Sequence, residues 1–178
     1  MAVSPFPIPR HMAESSEPYD FVEVCLLDYD AFLEAGYGRA ALPIPIERVK
    51  EAYTFVLLLL NGGNGFAKYE MDEGWTPNRL ATALEGLRSL GLGDTADILA
   101  PYVARLNQKP GLLRSRKSQL EEVFSAFAEG DFGIVERAWL AFPFNRAAHD
   151  FLRSNLDFEI LENDAYLARK DDILRSAP

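Results

Sequence analysis

Cysteine is almost missing from this chain: Cys25 is the only one in 178 residues. One thiol cannot close an intramolecular disulfide, so a disulfide-stapled secreted framework is excluded and a reducing, cytoplasmic setting is expected. Histidine is nearly as scarce. His11 and His149 belong to no His-x-His, His-Glu-x-x-His or Cys-x-x-Cys set, so neither a metal site nor a metal cofactor is expected. Long hydrophobic runs are lacking too. The longest is the nine residues from Ala52 to Leu60, well short of the roughly 20 a membrane-crossing helix needs. Met1 to Arg10 carries Pro5, Pro7 and Pro9 and no continuous apolar stretch, so it does not read as a signal peptide. Positive charge is also in deficit, with 18 Lys and Arg against 27 Asp and Glu, a net charge of -9 and a pI near 4.7. Binding to phosphate backbones or anionic membranes requires the opposite excess. Direct nucleic-acid and membrane contact are therefore disfavoured, and a basic protein partner is favoured.

What remains is apolar and helical in period. A hydrophobic content of 48% suffices for one domain with a substantial core. The expected organisation is a flexible tail over 1–18 and a single compact all-α domain over 19–178. From Tyr19 to Ala35, the residues Phe21, Val22, Cys25, Tyr29, Phe32 and Leu33 share one side of a 3.6-residue wheel, with Gly36 and Gly38 ending the helix. Cys25 thus reads as a small core residue. Ile46 to Leu60 is apolar almost all round, which predicts a central buried helix. Asn61, Gly62 and Gly63 then stop it as a structural turn, since Asn and Gly tolerate the left-handed conformation. Thr76 and Pro77 open the next helix and Gly91 closes it; Asp94 caps a further one, in which Pro101 predicts a kink or a break after Leu99. Pro110-Gly111 is a turn, Leu120 to Phe127 a helical face, and Gly130 and Gly133 are breaks. Short helices are expected over 134–140, 147–152 and 165–174, while Phe158 to Leu161 fits either a strand or a helix.

A resemblance rests on Glu47-Arg48-Val49 through Asn61-Gly62-Gly63, on Gly65-Phe66, on Leu84 and Leu87, and on Leu90-Gly91-Leu92-Gly93-Asp94-Thr95-Ala96-Asp97-Ile98-Leu99. Over about residues 46–107 the chain resembles the DMP-nineteen-like DNA-mimic family, largely a domain of unknown function. Where that pattern has an aromatic-rich segment closing on Asn, this chain has Ala67-Lys68-Tyr69-Glu70-Met71. The resemblance implies an acidic, all-helical protein, one relative of which imitates DNA to occupy a DNA-binding protein.

Catalytic chemistry finds little support in the residues. His149 beside Asp150 reads as a surface or partly buried residue rather than a general base, because adjacent helical positions diverge by about 100°. Charge patterning says more. Between Met12 and Gly38 stand Glu14, Glu17, Asp20, Glu23, Asp28, Asp30 and Glu34 with no Lys or Arg. Asp20, Glu23, Asp30 and Glu34 fall within a sector of about 80°, spread over roughly 21 Å of helix axis. Such a row can stand in for one edge of a phosphate backbone, whose charges repeat about every 3.4 Å per strand. Asp157, Glu159, Glu162 and Asp164 form a second acidic group. Arg105, Lys109, Arg114, Arg116 and Lys117 form a basic stretch, which could dock on an acidic patch of a second copy to make a homodimer. The expected function is a non-enzymatic binding protein whose two acidic groups engage a basic protein, such as a DNA-binding regulator. The alternative is a helical interaction or toxin-immunity-like domain without mimicry, its acids serving solubility.

Overall fold

The computed structural model describes residues 2–60, 76–108 and 129–178. Helices make up 73% of these residues, in eight α-helices, with one short two-stranded parallel sheet. Strand β1 is Phe6–Pro9, followed by helices α1 (Arg10–Ala13), α2 (Pro18–Glu34) and α3 (Ile44–Leu60). Then come α4 (Pro77–Ser89), α5 (Gly93–Gln108), α6 (Glu129–Leu140), α7 (Phe144–Asn155), strand β2 (Phe158–Leu161) and α8 (Asn163–Arg175). The all-α character predicted from the periodicity is thus observed. The Asn61-Gly62-Gly63 turn, the Pro110-Gly111 turn, the face over 120–127 and the basic residues Lys109, Arg114, Arg116 and Lys117 lie outside the described residues, as does the side chain of Arg105.

The organisation departs from a tail plus one domain. Two compact units form, one from 1–47 with 143–178 and one from 48–142. In the first unit the expected flexible tail is structural: Val3, Phe6, Ile8 and Ala13 are buried, and β1 pairs in parallel with β2. The segment Phe-Pro-Ile-Pro forms a strand because a parallel ladder turns alternate residues toward its neighbour. The Phe6 N–H donates to the Asp157 carbonyl at 2.9 Å, and the register sets Ile8 opposite Ile160. Pro7 and Pro9, which have no N–H to give, therefore fall on the positions facing away. Burying two large apolar side chains supplies a driving force that composition alone did not reveal, about 1.5–3 kcal/mol each.

Helix α2 buries the side predicted for it, with Phe21, Val22, Cys25, Tyr29 and Phe32 in the core. It ends where expected, and Gly36 takes φ +108°, a left-handed conformation suited to glycine. An acid from the polar block joins that core: Asp28 is 1% exposed. It accepts hydrogen bonds from Tyr166 Oη at 2.8 Å and Lys170 Nζ at 2.6 Å, both on α8. The Tyr37 hydroxyl donates to the Ile173 carbonyl at 3.0 Å and ties down the same helix.

In the second unit α3 buries Val49, Ala52, Phe55 and Val56 but leaves Tyr53 partly exposed, so it is less uniformly buried than its sequence suggested. It also buries Glu51, which Arg79 of α4 grips through Nε at 3.1 and 3.2 Å and Nη2 at 3.1 Å. The caps of α4 match expectation: Thr76 Oγ1 accepts from the Arg79 N–H at 3.2 Å, and Gly91 closes the turn with φ +89°. Two expectations fail, as does one alternative of a third. Asp94 lies in the first turn of α5 rather than before it. Helix α5 continues through Pro101, which sits on its exposed side, so the break after Leu99 does not occur, and α6 runs unbroken through Gly130 and Gly133. Each breaker costs only what local backbone loses, about 3 kcal/mol for Pro and 1 for Gly, and the buried Leu99, Tyr102 and Val103 or Val135 and Trp139 can offset that.

Candidate functional site

The candidate surface is the outer side of α2. A helix with core residues on one side must send the rest to solvent, and here the rest is acidic. Asp20 is partly buried and accepts from Ser15 Oγ at 2.6 Å. Glu23 accepts from Tyr19 Oη at 2.8 Å. Asp30 is partly buried and Glu34 is exposed. The partners shown for Asp20 and Glu23 are hydroxyls, which orient a carboxylate without neutralising it.

Two residues that sequence reasoning passed over lie in or beside that sector. Tyr19 is 49% exposed and Leu27 is 61% exposed. Both were detectable: Leu27 follows Glu23 by four and Asp20 by seven, spacings that return a side chain to the same face. An apolar residue on the acidic side of an amphipathic helix is the signal.

The second acidic group is differently placed. Glu159 pairs with Arg169 Nε at 3.2 Å, and Glu162 pairs with Arg10 Nε at 2.6 Å while Arg10 Nη1 reaches Glu14 at 2.8 Å. Asp157 accepts from Ser4 Oγ at 2.6 Å, and Asp164 is exposed in the first turn of α8. This group brackets β2, and its middle is interleaved with guanidinium groups.

Elsewhere the chemistry is quiet. Contrary to the angular expectation, His149 and Asp150 meet, with Nδ1 and Oδ1 2.9 Å apart, because a short carboxylate can turn along the helix surface toward its neighbour. The contact with His149 holds the Asp150 carboxyl below the usual aspartate range. The His149 ring also sits edge-on to Phe21, 5.5 Å between centroids. Burial pushes the Cys25 thiol far up, with the Asp28 charge adding to it, so the thiolate is suppressed. Among the described residues no group of three or more His, Cys, Asp or Glu could hold a metal ion, and no helix is long and apolar enough to cross a membrane. A shallow cleft of ≈ 230 Å³ opens in the first unit, lined mainly by small and apolar residues such as Ala40, Ala41, Leu42 and Pro43, with Asp157 at its edge. Compared with protein-family models, with curated proteins and with solved structures, the chain finds no match.

Proposed function

We propose that this protein is a non-enzymatic binding protein that engages a basic protein through the acidic side of α2. The observation that carries this reading is the composition of that side: Asp20, Glu23, Asp30 and Glu34 surround exposed Leu27, exposed Tyr19 stands at the start of the row, and the helix holds no Lys or Arg. Carboxylates on a helix without Lys or Arg steer a cationic surface and fix its register, while a central apolar side chain supplies the contact that persists once water is expelled. A narrower form, suggested by the resemblance to the DNA-mimic family, is occupation of a DNA-binding site on a regulator. The α2 row is the better candidate for it, since the second group shares its charge with Arg10 and Arg169. Those pairs favour the solubility reading for Glu159 and Glu162.

The experiment compares wild type with the D20N/E23Q/D30N/E34Q variant in pull-downs from source lysate at low and high salt. A basic protein retained by wild type, lost with the variant and released by salt is expected, because exposed charges are screened beyond about 8 to 10 Å near physiological ionic strength. Equal retention by both proteins overturns the reading. DNA carrying the partner's own site should compete for the narrower form; a ternary complex with unchanged DNA affinity rejects mimicry and leaves the protein contact standing.

A further inference from the structure

The two edges of the small sheet are unequal. Strand β1 turns Pro7 and Pro9 to its outer side, and all four of its residues are buried. Strand β2 is only partly covered, and Ile160 is 37% exposed. In the observed register Glu159 and Leu161 direct their backbone groups to β1, so the N–H and C=O of Phe158 and Ile160 point the other way. Among the described residues those groups make no backbone hydrogen bond. An unpaired edge of this kind is a template for another strand.

Its setting selects the occupant. The strand is held in place: the Phe158 ring packs edge-on to Phe21 at 5.5 Å, with the Arg153 guanidinium 5.5 Å from its centroid. Asp157 precedes the strand and takes its hydrogen bond from a hydroxyl, while Glu162 and Asp164 follow it. A second copy adding antiparallel to this edge, with Phe158 of each strand opposite Ile160 of the other, would place Glu159 opposite its own copy, and like charges facing each other across strands are destabilising. A strand carrying Lys or Arg at both ends of a short apolar stretch meets the opposite situation.

We propose that the free edge of β2 is a β-augmentation site for an extended basic peptide segment, which adds as a third strand through the backbone groups of Phe158 and Ile160, with its cations near Asp157 and Asp164. This site is separate from the acidic side of α2 and does not depend on it.

The test uses fluorescence anisotropy with a labelled Lys-Val-Lys-Val-Lys peptide, a scrambled-charge control with Glu for Lys, and two copies of the basic peptide N-methylated at alternate residues. The basic peptide should bind and the Glu peptide should not. N-methylation on one alternation should weaken binding at least about tenfold and on the other leave it nearly unchanged, since only one set of amides faces the edge. In the protein, Ile160→Pro removes an outward N–H without touching the β1 ladder and should weaken binding by a similar factor at unchanged helix content. Exchange of the Phe158 and Ile160 amides should be fast in the free protein and slow with peptide bound, a readout that needs no variant. Equal binding of all N-methylated forms, or amides already protected in the free protein, overturns the proposal. So does a concentration-dependent dimer that Ile160→Pro dissolves, which would assign the edge to a second copy.

Discussion

Replacing Gly86 by Ala sets two effects of opposite sign against each other in one helix. Helix α4 crosses α3 at this glycine, and a Cβ built there lies 2.1 Å from the Arg48 carbonyl oxygen, 2.9 Å from its carbon and 3.0 Å from Ala52 Cβ. Ordinary contact begins at 3.4 Å, so the oxygen must retreat by about 1.3 Å, the difference between 3.4 and 2.1. The obstacle is backbone and cannot swing aside; the helices have to part, and the Glu51–Arg79 contacts bridge the same pair of helices. Overpacking of this kind costs about 1–3 kcal/mol, and a backbone obstacle places it near the top of that range. Alanine returns about 1 kcal/mol of helix propensity over glycine. The net expectation is a loss of about 2 kcal/mol. Urea denaturation followed by the helical circular-dichroism signal measures it, with Gly133→Ala as the matched control. Gly133 also lies inside a helix of the same unit, but among the described residues its added Cβ meets only the flexible end of Arg137, Nη1 at 3.3 Å. Gly133→Ala should be neutral or stabilising by up to about 1 kcal/mol. If Gly86→Ala proved as stable as wild type or more so, propensity would have outweighed packing and the close crossing would be refuted.

Asp28→Ala should destabilise by about 2–3 kcal/mol in thermal or chemical unfolding; removing one partner of a buried pair costs more, but the Lys170 side chain is a quarter exposed and can reach water. Burial, and then the hydrogen bond to Asp28, push the Tyr166 phenol up. An unfolded tyrosine titrates near 10. The contribution from Tyr166 is therefore complete below about pH 10 and is lost as pH rises above it, because the folded state holds the proton that the unfolded chain releases. Stability measured between pH 8 and 11 should fall more steeply for wild type than for Tyr166→Phe, and equal slopes would contradict this. Cys25 should resist a thiol-specific disulfide reagent in the native protein and react promptly in denaturant; prompt reaction without denaturant would show that its burial is wrong.

How legible the fold was from the chain depended on whether the deciding contact was local. The limits of α2, the Thr76–Pro77 start of α4 and the Gly91 turn were readable because each is set by residues within one turn of one another. The strand Phe6–Pro9 was not, since alternate prolines look like a disordered leader until a partner some 150 positions away supplies the ladder. Asp28 was readable in principle. It follows Cys25 by three and Phe21 by seven, which places it among the core residues of α2 rather than in the acidic row. Glu51 was not, because the guanidinium that makes its burial tolerable arrives from another helix. The α2 acids were visible as a row, but how Asp20 and Glu23 are oriented within it depends on hydrogen bonds from Ser15 and Tyr19 rather than on spacing.

The pairing of β1 with β2 also sets an order of events during synthesis. The contacts that complete the first unit join residues near the start of the chain to residues beyond Pro143, so Phe6, Ile8 and Phe21 have left the ribosome long before Phe158 or Tyr166 exists. Residues 48–142 contain their own partners and can collapse while translation continues at about 5–20 residues per second. The early apolar segment must wait, exposed, for the last 36 residues, 143–178. A chaperone that shields short apolar segments would find its target there.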